Sequence, residues 1–122
     1  MGLDCYASRS LDDLELTEED ERAFEEAELC LCGGVLSGSE SSFRGKVYAS
    51  LVRDATGIDI YQDLTPEQTA ELSRRLDAVS AEQLSAMSAS SASGPHPPEV
   101  CASLQRFFRI CAERGLGLLA WS

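Results

Sequence analysis

The sequence predicts a mostly helical α+β fold in one acidic domain spanning residues 1–122, with a small sheet formed by the N- and C-terminal strands. Three observations lead there. A chain of 122 residues is long enough for one modest core. Its middle carries repeated helix-start signals, each followed by apolar residues at spacings of three and four. The runs Leu3–Ala7 and Leu116–Trp121 are short and apolar, and read as strands that pair with each other.

Taken in order, Leu3–Ala7 is the first strand and Asp12–Leu16 an acidic loop. Thr17 is placed to cap a helix whose first turn holds Glu18, Glu19 and Asp20, where the helix dipole favours negative charge. That helix is expected to run to about Leu29, with Phe24 and Ala27 inward. The Gly33–Ser42 segment has no helical or strand period and reads as a loop. A second helix is expected over Gly45–Ala55, with Val47, Tyr48, Leu51 and Val52 as its stripe and Gly57 as its stop. Ile58–Tyr61 alternates at period two, as a short strand or an extended connector.

Thr65-Pro66-Glu67-Gln68 is a capping box with proline at the first helical position, and Leu72, Leu76 and Val79 continue its helix. Ser80-Ala81-Glu82-Gln83 is a second box, with Leu84 and Met87 inward. Ser88–Pro98 is rich in serine, alanine and proline, and reads as a flexible loop. Glu99–Arg114 is the strongest helix, striped by Val100, Leu104, Phe107, Phe108 and Cys111 and closed by Gly115.

Charge narrows the function. Against 21 Asp and Glu stand 10 Lys and Arg, a net charge of −11. Residues 1–30 hold eleven acids against Arg9 and Arg22, so −9 of that charge lies in the first quarter. Such a field repels a phosphate backbone, and nucleic-acid binding is not expected. It attracts cations and basic proteins, although a run of charge also serves simply as a solvated face. No run approaches the ~20 apolar residues of a membrane span, and no basic-then-apolar leader is present. A cytoplasmic protein without membrane contact is expected, with its five cysteines reduced. Cys5, Cys101 and Cys111 fit the role of small buried hydrophobes.

Calcium is the ligand this composition suits. The ion takes six to eight hard oxygens at about 2.3–2.6 Å. In the Gly33–Ser42 loop, Glu40 supplies charge, and Ser37 and Ser41 supply hydroxyl or main-chain oxygens. Glycines allow successive carbonyls to turn toward one centre. One carboxylate is too few, so others are expected to fold in, with Glu113 near the end of the last helix as one candidate and Asp59 and Asp63 as others. Asp12, Asp13 and Glu15 are candidates for a second site. No window carries the ligand spacing of an EF-hand. The plain alternative for the loop is a surface turn.

Other chemistries find less. Cys30-Leu31-Cys32 is a weak redox or soft-metal signal, and His96 lies between prolines without a zinc motif. There is no nucleophile elbow, and Gly45-Lys46 lacks the spacing of a phosphate loop. An enzyme is not expected.

Four stretches taken together carry a resemblance: Met1–Tyr6, Ser42–Tyr48, Thr56–Asp63 and Phe107–Trp121. In these and in its acidity and size, the chain resembles the small acidic calcium-binding protein of heterocyst-forming cyanobacteria and related bacterial proteins. The resemblance spans nearly the whole chain and implies a cytosolic calcium buffer or sensor without EF-hands. The rival expectation is an interaction module, in which the acidic helix around Glu18, Glu21 and Glu25 docks a basic protein partner.

Overall fold

Helix ends and strand pairing follow local chemistry that is visible residue by residue. A computed structural model of the chain describes residues 4–13, 15–29, 31, 42–90 and 95–121. Along it run β1 (Asp4–Ser8), α1 (Glu18–Glu26), β2 (Ser42–Arg44), α2 (Gly45–Thr56), α3 (Pro66–Asp77), α4 (Ala81–Ser88), α5 (Pro98–Arg114) and β3 (Gly117–Trp121). The architecture is α+β, and the strands form one antiparallel sheet in the order β2-β1-β3. The terminal strands pair as expected, with Cys5 opposite Ala120 and Ala7 opposite Leu118. The third strand, β2, was not foreseen. It sets Phe43 opposite Cys5 on the other side of β1.

Three helices begin with the same device. The side chains of Thr17, Thr65 and Ser80 accept from the backbone N–H three residues on, and Asp20, Gln68 and Gln83 return the bond. α2 and α5 stop at Gly57 and Gly115, both left-handed at φ 77° and 68°. α1 ends earlier than its pattern suggests, because Glu28 takes φ 50° immediately beyond the Ala27 cap. Residues 58–61 form no strand. Asp59 Oδ1 accepts the Tyr61 N–H at 2.9 Å, which curls the segment into a turn that buries Ile60 and exposes Tyr61.

The core lies between the sheet and α5. Phe43 stands at its centre, with ring centroids 4.9 Å from Phe107, 5.9 Å from Phe108 and 5.8 Å from Tyr48. Phe24 closes the cluster from α1, 5.0 Å from Phe107. The edge-on contacts of Phe43 and the tilted contact of Phe24 suit the aromatic quadrupole and bury large apolar areas. Cys5, Cys101 and Cys111 are fully buried among them as free thiols. Burial pushes the Cys5 thiol up to about 12, aided by the charge on Asp4, and also raises Cys101 and Cys111.

α5 also serves as a strut, packing on α1, α3 and α4. Gln105 Nε2 donates to the carbonyls of Leu76 at 3.0 Å and Val79 at 2.6 Å, satisfying the end of α3. Arg106 donates to Ala27 O at 2.8 Å and does the same for α1. Arg109 pairs with Asp77. Beyond α5, Gly117 lies so close to Leu64 that a Cβ would sit 2.5 Å from its carbonyl oxygen. Leu64 and Leu118 exchange both backbone hydrogen bonds at 2.9 Å, covering the outer side of β3.

The serine- and proline-rich connection between α4 and α5 is tied down at its described end. Ser88 is buried on α4, and its hydroxyl accepts the His96 N–H at 2.8 Å. The His96 ring lies 5.0 Å from Tyr48, with Nε2 3.0 Å from Val47 O.

Candidate functional site

The acidic first quarter folds around two polar anchors. The Ser8 hydroxyl, buried at the end of β1, lies 2.8 Å from Ser10 O and 2.9 Å from Asp13 O. It accepts from the backbone of Ser10 at 3.2 Å and of Glu15 at 2.9 Å. The loop after β1 thus turns main-chain groups inward and leaves the side chains of Asp12, Asp13 and Glu15 exposed.

The second anchor is Asp20. It lies on the inner side of α1, one turn before Phe24, and its side chain is fully buried. Arg9 grips it with both forks, Nε to Oδ2 at 2.6 Å and Nη2 to Oδ1 at 2.8 Å. Arg114, from the last residue of α5, adds Nε to Oδ1 at 2.6 Å, and the Thr17 N–H donates to Oδ2 at 3.0 Å. Burial alone would raise the carboxyl, but the bonds from Arg9, Thr17 and Arg114 outweigh it and hold Asp20 well below the usual carboxylate range.

This arrangement divides the acids of α1 into two groups. Asp20 is consumed internally. Glu18, Glu21, Glu25 and Glu26 are exposed, and among the described residues they enter no ion pair. Glu19 reaches Arg114 only at 3.9 Å, with its side chain 84% exposed. The helix beneath these carboxylates is fixed at its start by Arg9 and Arg114 and at its end by Arg106. The result is a set of exposed carboxylates, with the exposed Arg22 among them, on a helix tied at both ends.

Only some of the expected calcium ligands fall among the described residues. Glu40, Ser37 and Ser41 lie outside the described residues, as do Cys30 and Cys32. Glu113 is exposed near the end of α5, whereas Asp12, Asp13 and Glu15 share the loop after β1. Asp63 accepts the Ala120 N–H at 2.9 Å and helps hold β3. Among the described residues, no three His, Cys, Asp or Glu side chains group as a metal site. No described helix is long and apolar enough to cross a membrane.

A surface cleft of about 450 Å³ opens between the end of α2 and the start of α3. Gly57, Ile58, Leu64, Asp59, Gln62 and Glu67 contribute to its lining, with Gln68, Glu71 and Arg75 along α3. Glu71 accepts from Arg75 Nε at 2.9 Å and also pairs with Arg74, which lowers its carboxyl below the usual range. Arg75 Nη1 donates to Thr56 O at 2.8 Å. Comparison with protein-family models, with curated proteins and with solved structures finds no match in any of the three.

Proposed function

We propose that this chain is a docking module whose α1 presents exposed carboxylates to a basic partner protein. One observation carries the reading. The single α1 acid that faces inward is neutralised by the chain's own arginines, while Glu18, Glu21, Glu25 and Glu26 stay exposed and unpaired among the described residues. Exposed charges on a pinned helix gain attraction without the cost of ordering the backbone beneath them. They also steer a cationic partner from a distance, in a manner that salt weakens.

The test is calorimetric titration of the full chain with a Lys-rich, arginine-free peptide. The triple reversal E18K/E21K/E25K should abolish the heat. D54K/E82K/E99K changes the net charge equally on other helices and should leave most of it. Equal losses in the two variants would reduce the effect to bulk charge and overturn the reading. Calcium binding, the other expectation raised by the sequence, is tested on the same sample. Heat and thermal stabilisation at millimolar calcium, removed by Glu40→Gln, would support the Gly33–Ser42 loop as its site.

A further inference from the structure

The cleft between α2 and α3 has the chemistry of a receptor for one basic side chain. Its lining includes the half-buried Ile58 as an apolar surface. Its rim carries Asp59, Glu67 and Glu71 against Arg75 alone, an excess of two negative charges. Arg75 is already satisfied by Glu71 and by the last carbonyl of α2, so the remaining charge belongs to Asp59 and Glu67. Asp59 uses Oδ1 for the Tyr61 N–H, and Glu67 is exposed in the first turn of α3 with no ion pair among the described residues.

We infer that this cleft binds the side chain of an arginine in a partner polypeptide. The aliphatic stem lies on Ile58, and the guanidinium reaches Asp59 and Glu67. Arginine is favoured over a bare ammonium because its long stem covers apolar surface while its planar head spreads several donors across two carboxylates. A volume of about 450 Å³ lies within the range of small-ligand sites and is ample for one side chain. An anion is disfavoured, since Arg75 offers the lining's positive charge already paired.

The inference takes its class of partner from the docking reading, but the site is built from different elements and is separable by experiment. The test titrates the isotope-labelled full chain with N-acetyl-arginine amide, followed by amide NMR. Saturable shifts are expected at Gly57, Asp59, Gln62 and Gln68, with a dissociation constant on the order of millimolar. The neutral isostere N-acetyl-citrulline amide should give none. The pair D59N/E67Q should weaken binding about ten-fold, consistent with loss of two exposed charge contacts. Asparagine at 59 retains an acceptor for Tyr61, and the Thr65–Gln68 capping box is untouched, so the variant's spectrum should report an intact fold. E18K/E21K/E25K should bind the arginine amide as the parent does, even if it no longer binds the basic peptide. Equal binding of citrulline, shifts confined to α1, or indifference to D59N/E67Q would overturn the inference.

Discussion

Arg114 Nε lies 2.6 Å from Asp20 Oδ1, joining the last residue of α5 to the first turn of α1 across 94 positions of sequence. Arg9 holds the same carboxylate from the segment following β1. One buried charge therefore ties together the sheet's exit, the acidic helix and the central strut. The exposed acids of α1 owe their fixed placement to it.

Replacing Asp20 by asparagine should destabilise the fold by about 2–3 kcal/mol, because two arginines lose their anionic partner in a confined setting. Their partial exposure, 37% and 29% of the side chain for Arg9 and Arg114, keeps the loss below that of a fully enclosed pair. Urea unfolding checks this, and Glu21→Gln on the exposed side should change stability by no more than about 0.5 kcal/mol.

The Asp20 contribution also predicts a pH dependence with a definite sign. Its carboxyl is depressed in the folded state, so the stabilisation is complete above the ordinary aspartate range. It is lost as pH falls through the folded-state value. The stability gap between the parent and D20N should be constant above about pH 5 and shrink progressively below about pH 4. Denaturation midpoints for both proteins across this window provide the measurement.

Much of this framework was legible in the residues. The capping boxes at Thr65 and Ser80, the stops at Gly57 and Gly115, the pairing of the terminal strands and the stripe on α5 all follow from local chemistry. What escaped depended on tertiary context. β2 is three residues long and acquires meaning only beside β1. Glu28 terminates α1 in a left-handed conformation without the glycine that would announce it. Ile58–Tyr61 alternates like a strand, but the Asp59 side chain competes with the ladder and closes a turn.

Asp20 was hidden by its neighbours. In a run of four acids nothing in its identity sets it apart, although its spacing of four before Phe24 places it on the inward face. Glu18, Glu21 and Glu25 were visible in the sequence only as acids of a charged helix, and the structure leaves all three exposed. The cleft was invisible, since its walls come from residues 57 to 75 brought together by the α2–α3 turn.

Gly117→Ala should cost about 1–3 kcal/mol, because the added methyl would sit 2.5 Å from the Leu64 carbonyl, which is itself fixed by its bridge to Leu118. Gly115→Ala meets no atom within 4 Å and should cost about 1–2 kcal/mol through its left-handed backbone alone. Thermal midpoints of the two variants, with amide exchange at Leu64 and Leu118, separate the two causes. Loss of protection at that bridge is expected only for the first.

The buried thiols should be chemically silent. Burial raises Cys5, Cys101 and Cys111, leaving little thiolate at neutral pH and no path for a reagent. Iodoacetamide followed by peptide mass spectrometry should leave these three unmodified in the native protein and label all of them in guanidinium. Rapid native labelling of Cys111 would contradict the packing around α5.

The docking role of α1 is tested most directly by mapping a Lys-rich, arginine-free peptide onto the labelled full chain by amide chemical shifts at low and moderate salt. The account predicts perturbations concentrated over residues 18–26, fading as salt rises, with Leu104 and Phe108 in the core of α5 unmoved. Shifts spread evenly over every acidic segment, or absent from 18–26, would contradict it.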